Sequence, residues 1–165
     1  RLMELRLEPV RTEDLPAIRD IFNYYIENSF AAYLEMPVPL EFFGTFLRMV
    51  EGYPFLAAKD SDGRLLGFGL LRPYNPMPAF SRSAEITYFV SPEFTRHGIG
   101  GMLLDRLLAK AREMGITSIL ASISSLNPPS LSFHESHGFE ECGRFAEIGR
   151  KKGQGFDVVW MQKRV

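Results

Sequence analysis

Apolar and polar residues alternate over residues 5–10, the period of a half-buried strand. The period then changes. Leu15, Ile18, Ile21, Phe22, Tyr25 and Ile26 recur at three- and four-residue spacing, which predicts a helix with one buried face running to about Asn28. Thr12 reads as its N-cap, with Glu13 and Asp14 placing negative charge in the positive first turn. Beyond Pro37 and Pro39, the residues Phe42, Phe43, Phe46, Leu47 and Val50 predict a second helix ending near Gly52. Two apolar runs, 53–59 and 64–72, flank Asp60-Ser61-Asp62-Gly63 and read as a hairpin. Three prolines within 73–78 argue against regular structure and predict a loop on the surface or over a site.

The second half repeats a strand and helix alternation. Residues 85–90 predict a strand and 98–114 a helix, striped by Ile99, Met102, Leu103, Leu107 and Ala111 and stopped by Gly115. A strand at 116–123 completes a crossover unit. Pro128 and Pro129 suit the first turn of a short helix that reaches His137 and stops at Gly138. Residues 139–148 and 156–161 supply two last strands. An antiparallel hairpin beside a parallel crossover predicts an α/β chain (α+β in its mixed sheet), with helices covering both faces.

Composition narrows the partners. The 165 residues suit one domain, and a 45% hydrophobic content is enough for a core. Nineteen Lys and Arg against twenty Asp and Glu leave no basic surplus, so neither nucleic acid nor an anionic membrane is expected and a small molecule fits better. Cys142 is the single cysteine, and no apolar run approaches the roughly 20 residues of a membrane span. No secretory signal opens the sequence, so a reduced, cytoplasmic setting is expected. Arg1 and Leu2 precede a natural start at Met3 and are left out of the reading.

Between the strand at 85–90 and the helix at 98–114 stands Thr95-Arg96-His97-Gly98-Ile99-Gly100-Gly101. Glycines let backbone approach a ligand, and a helix that starts there presents unpaired N–H groups and a partial positive charge, which suits a pyrophosphate. Arg96 and His97 add charge at the rim. Three glycines alone leave a tight turn without a ligand equally open. A nucleoside-triphosphate loop is set aside because Gly100 is followed by Gly101 and Met102, not by Lys and Ser or Thr. A dinucleotide fold places its glycine turn after the first strand, whereas three strands precede this one.

The combination resembles the GNAT superfamily of N-acetyltransferases, whose signature is Arg or Gln, two residues, Gly, one residue, then Gly or Ala. Gly98 and Gly100 match, while Thr95 stands where Arg or Gln is usual. Asn127-Pro128-Pro129-Ser130 and Phe133-His134-Glu135-Ser136-His137-Gly138-Phe139 resemble the pattern of its phosphinothricin and methionine sulfoximine acetyltransferase group with every spacing kept. Gly149, Lys151, Gly153 and Asp157 fit that group's C-terminal pattern, with Gly155 in place of a Trp. Tyr53-Pro54 and Ala79-Phe80 have counterparts too, so the similarity spans nearly the whole chain.

The resemblance implies a GNAT fold, with a mixed sheet of about seven strands flanked by about four helices, and acetyl-coenzyme A as cosubstrate without a metal. It implies acetyl transfer to the primary amine of a small molecule, an amino acid or analogue among the options, by direct attack in a ternary complex. Amine acetylation needs an ammonium to lose a proton and a thiolate to gain one. Glu85 matches the group's acidic strand residue and is the candidate base, although a free Glu near pKa 4.3 and an amine near about 10 leave direct abstraction uphill by roughly six units. His134 stands where many relatives carry a Tyr that protonates the thiolate, and in this group it is also a candidate base. Without the resemblance, Glu85 reads as a carboxylate facing solvent or an Arg such as Arg82, and His134 as an ordinary helix residue.

Coenzyme contacts are implied for Gly98, Ile99, Gly100 and Gly101, for Arg96 and His97 at the rim, and for Asn127 and Ser130. Asn127 also makes a good N-cap. Tyr88, Phe89 and Val90 are expected to offer free backbone where their strand splays from its neighbour. The acceptor loop is read at Tyr74, Asn75 and Met77, where the group's amino-acid enzymes carry two arginines that this chain lacks; a less acidic or more apolar amine is the resulting expectation. A non-catalytic acyl-coenzyme A-binding module and an acetyltransferase acting on protein N-termini or lysines remain alternatives. Apolar C-terminal strands and the family habit suggest a homodimer.

Overall fold

The computed structural model describes residues 4–165, so the reading of Arg1 and Leu2 lies outside the described residues. Seven strands form one sheet: β1 (Arg6–Pro9), β2 (Phe55–Lys59), β3 (Leu65–Pro73), β4 (Ser83–Val90), β5 (Ser118–Ser124), β6 (Glu140–Lys151) and β7 (Gln154–Arg164). Four α-helices accompany them: α1 (Leu15–Asn28), α2 (Leu40–Met49), α3 (Ile99–Glu113) and α4 (Pro128–Ser136). The strand order is β1-β2-β3-β4-β5-β7-β6. Only β4 and β5 run parallel, because α3 connects them as a crossover; every other pair is antiparallel.

Strand alternation sorts the apolar residues to two faces. On one face Leu103, Leu104 and Leu107 of α3 pack on Ala84, Ile86, Ile119 and Ala121, with Tyr88 and Phe133 partly buried beside them. On the other, Ile18 and Ile21 of α1 and Phe43 of α2 pack on Phe55, Phe68 and Leu70. At about 25 cal/mol per Å², each fully buried Leu or Ile contributes roughly 1.5–3 kcal/mol, so these two layers dominate the stability.

Several boundaries differ from the sequence expectations. Thr12 does not cap α1. Residues Thr12–Asp14 form a single 3-10 turn, and the helix proper starts at Leu15. Asp14 decides this: its carboxylate accepts the Arg11 N–H at 2.9 Å and pairs with Lys59 at 2.8 Å, while Lys59 also reaches Glu8 at 2.6 Å. Asn127 occupies the N-cap position of α4 but its side chain makes no capping bond. Residues 73–78 are less irregular than three prolines suggest, since Pro73 is the last residue of β3 and Pro78–Phe80 form a 3-10 turn. The last two strands run further than expected, to Lys151 and from Gln154. Lys152 and Gly153, with φ of 53° and 74°, make a two-residue turn whose twist matches the flanking strands.

Candidate active site

The parallel pairing of β4 with β5 stops early. Its register covers Ser83↔Ser118, Ala84↔Ile119 and Glu85↔Leu120, whereas on its other side β4 stays paired with β3 as far as Gly67↔Val90. From Ile86 onward, β4 therefore turns one edge of backbone toward an opening in the sheet. Tyr88 and Phe89 lie along this edge, but the carbonyl of Val90 is not free, because the Tyr25 hydroxyl of α1 donates to it at 2.5 Å.

The glycine turn follows β4. Arg96 at φ 67° and Gly98 at φ 81° are both left-handed, and Gly98 is the N-cap of α3. The first backbone donor to bond back into the helix is Met102, to the Gly98 carbonyl at 3.1 Å. The amides of Ile99, Gly100 and Gly101 therefore belong to the unpartnered first turn. A Cβ on Gly100 would meet the Phe133 ring, and one on Gly101 the His137 ring, at an ordinary 3.5 Å. Packing within the protein thus does not require glycine at these two places, and their bare backbone leaves the turn open to close approach from outside. Arg96 and His97 are exposed beside the turn, and His97 meets the Phe94 ring edge-on at 5.9 Å. Arg64, which the sequence did not single out, lies over the Phe94 ring at 4.7 Å and adds a second arginine near the turn.

On the α3 face, Tyr88 and His134 meet. The Tyr88 hydroxyl lies 2.5 Å from His134 Nε2, and Nδ1 lies 2.7 Å from the Ser130 carbonyl, with the Ser130 hydroxyl at 3.3 Å. A carbonyl only accepts, so these partners assign the proton of the neutral ring to Nδ1 and make Nε2 the acceptor of the Tyr88 O–H. His134 is 5% exposed, and burial holds its pKa below the ordinary histidine value. Burial pushes the Tyr88 hydroxyl the other way, well above the usual phenol range. Both groups are thus neutral near pH 7. Ser130, expected to touch coenzyme, also orients this ring through its backbone carbonyl.

On the opposite face, Glu85 pairs with Arg72, its register partner on β3. Arg72 Nε at 3.0 Å and Nη2 at 2.6 Å both donate to Glu85 Oε2. The neighbouring cation is therefore Arg72 and not Arg82. Tyr33, from the segment between α1 and α2, places its hydroxyl 3.1 Å from the Ser122 hydroxyl on β5. Burial raises the Tyr33 pKa, and the Glu85 charge adds to it. Tyr74 and Met77 are exposed at the end of β3, and Tyr74 packs edge-on against Phe80 at 5.6 Å. Asn75 accepts the Met77 N–H at 2.9 Å and shapes that loop. Arg72, Tyr33 and Ser122 escaped sequence reasoning. The antiparallel register of β3 with β4 is what sets Arg72 opposite Glu85.

A mixed seven-stranded sheet that opens between two parallel strands, with a glycine turn and helix N-terminus at the opening, defines an acyltransferase architecture built to receive a long phosphorylated thioester. The chain matches the acetyltransferase (GNAT) family over residues 18–139. It is 32% identical over 164 residues to an L-methionine sulfoximine/L-methionine sulfone acetyltransferase of Pseudomonas aeruginosa, covering 97% of this chain and 94% of that one. Its structure superimposes on a phosphinothricin acetyltransferase of Sinorhizobium meliloti in complex with acetyl-coenzyme A (TM-score 0.92, 28% identity, 99% of this chain and 89% of that one). A ribosomal-protein-alanine N-acetyltransferase of Brucella melitensis gives a TM-score of 0.91 at 33% identity, with 97% and 99% covered. The chain belongs to the GNAT family of acetyltransferases and is an acetyl-coenzyme A-dependent enzyme. Among the described residues no cluster of His, Cys, Asp or Glu could hold a metal, and no helix is long and apolar enough to cross a membrane.

Proposed function

We propose that the chain acetylates the primary amine of a small molecule, an amino acid or analogue with a largely apolar side chain. The observation that carries this is the placement of two proton-handling groups on opposite sides of the β4–β5 opening. Glu85 with Arg72 lies on one side and His134 with Tyr88 on the other. The paired Glu85 and Arg72 offer a carboxylate for an ammonium and a cation for a carboxylate, the complement of a zwitterion. Tyr33, Tyr74 and Met77 offer apolar surface nearby.

The amides of Ile99, Gly100 and Gly101, with Arg96 and His97, hold the pyrophosphate, and the open edge of β4 together with Asn127 holds the pantetheine arm. When bound, acetyl-coenzyme A supplies the thioester carbonyl that the amine attacks and the thiolate that leaves. Glu85 orients the ammonium, whose proton leaves to solvent through water. Nε2 of His134 accepts the second proton, released by nitrogen on attack, through the Tyr88 hydroxyl, and Tyr88 returns it to the sulfur. No covalent enzyme intermediate is involved, as Cys142 is remote from these groups at the exposed edge strand.

The name of the Brucella melitensis relative favours a second reading, in which the amine is a protein N-terminus. We further propose a cytoplasmic homodimer that pairs through β6, an edge strand exposed from Glu140 to Ile148 with Phe145 and Ile148 uncovered. The deciding experiment measures coenzyme A release against amino acids, apolar amines and short peptides, for wild type, Glu85→Gln and His134→Ala, with acetyl-coenzyme A binding followed by calorimetry. Turnover of a small amine that falls in either variant while binding persists supports the proposal. Turnover of peptides alone favours the second reading, and binding without turnover of any amine favours a non-catalytic module.

A further inference from the structure

The turn between β6 and β7 grips the segment that carries Tyr33. Lys151, at the end of β6, is 1% exposed, yet among the described residues no carboxylate pairs with its ammonium. Its Nζ donates to the Ser29 carbonyl at 2.7 Å and the Ala32 carbonyl at 2.6 Å, and lies 6.0 Å from the Phe30 ring centre. Lys152 holds the same segment from outside, its N–H donating to the Glu35 carboxylate at 2.5 Å and its Nζ to the Glu27 carbonyl. All four partners fall within 27–35, the stretch leaving α1. Phe156 of β7 completes the contact, stacking on Tyr33 at 5.6 Å and meeting Phe30 at 6.1 Å. A Cβ on Gly149 would come within 2.2 Å of the Phe156 ring, so glycine there is what admits the ring.

Burying an ammonium is costly, and an unbranched apolar side chain would fill the same space without that penalty. What the ammonium alone supplies is two donors for carbonyls in a segment without helix or strand, whose backbone would otherwise turn to water. Burial accordingly holds the Lys151 pKa below the usual lysine value, the neighbouring Lys152 charge adding to this and the Glu35 carboxylate opposing it.

We infer that Lys151 is a positioning residue for acceptor recognition: by tying the Ser29 and Ala32 carbonyls to the sheet, it holds Tyr33 on Ser122 beside the Arg72–Glu85 pair. This rests on the reading of that face as the acceptor side. Lys151 touches neither substrate nor coenzyme. It sets the loop before the amine arrives, so the amine does not have to order it on binding.

The test compares wild type with Lys151→Met, and with Lys151→Gln, which keeps one donor, as full chains. Amide exchange should speed up about tenfold over residues 29–35 in Lys151→Met, with α3 and β5 as protected as before. KM for the amine should rise about tenfold while the acetyl-coenzyme A dissociation constant stays within about twofold, and Lys151→Gln should fall between. Unchanged exchange over residues 29–35 overturns the inference, as does a parallel loss of amine and coenzyme affinity. Failure of both variants to fold makes Lys151 a determinant of the whole fold and also overturns it. Exchange reads the clasp without any acceptor, so a wild type that acetylates no amine sinks the acceptor reading separately.

Discussion

The Tyr88 hydroxyl fills the Nε2 position of His134 at 2.5 Å, across 46 residues of sequence, while the other ring nitrogen is held by Ser130 one helical turn back. The imidazole thus has one nitrogen committed to the backbone and one that can exchange a proton only through Tyr88. Tyr88→Phe keeps the ring packing and removes that route. We expect kcat to fall about 10²-fold in Tyr88→Phe and in His134→Gln, and little further in the double variant, because the two act as one unit. Steady-state kinetics on the three proteins, with coenzyme affinity checked by calorimetry, tests this.

The same burial links His134 to stability. Its pKa is depressed in the folded protein by burial and stands at about 6.5 when exposed. Between those values the unfolded chain binds more protons than the folded one, so stability rises with pH through this window and is lost as pH falls below about 6.5. The melting temperature of wild type should therefore drop on acidification in this range more steeply than that of His134→Gln. Thermal melts at closely spaced pH values give the comparison, and parallel curves for the two proteins would contradict it.

Arg72 distinguishes an acceptor that carries a carboxylate from one that does not. A charge-assisted hydrogen bond contributes about 1.5–3 kcal/mol, equivalent to roughly 10- to 100-fold in affinity. Arg72→Met should raise KM by that factor for amino acids and by no more than about twofold for amines lacking a carboxylate. Equal effects on both classes would show that Arg72 serves only to orient Glu85.

Gly98 caps α3 in the left-handed region at φ 81°, with nothing within 4 Å of an added Cβ. Conformation and not space is what a side chain there would violate. Gly98→Ala should cost about 1–2 kcal/mol of stability and weaken acetyl-coenzyme A binding by about tenfold or more, as the strained turn withdraws the amides of Ile99 to Gly101. Calorimetric titration and a thermal melt report the two effects. Full coenzyme affinity in this variant would remove the turn from the binding site.

Much of the architecture is legible from one residue and its near neighbours. Of the stripe Ile99, Met102, Leu103, Leu107 and Ala111, the structure buries all but Met102, which stays exposed; the stop at Gly115 and the turn at Gly98 are local consequences of helix period and glycine freedom and are found as expected. The two faces of the sheet follow from alternation along each strand. Where local reading went astray, a distant residue had intervened: Lys59 drew Asp14 out of the role of an early helix residue, and Tyr25 took up the Val90 carbonyl.

The partners at the site belong to tertiary structure. Sequence order does not place β7 between β5 and β6, nor end the β4–β5 pairing at Glu85, yet those two facts create the opening and orient its contents. Arg72 meets Glu85 by the register of β3 with β4, Tyr88 meets His134 by packing of α4 on the sheet, and Lys151, which the sequence offers only as part of a C-terminal pattern, is buried by a loop more than a hundred positions away. Periodicity, caps and glycine turns are set by sterics within a few residues, so the chain itself determines them. Which charged and proton-carrying groups face one another depends on strand register and on how two layers of helices settle against the sheet, and only the folded whole decides that.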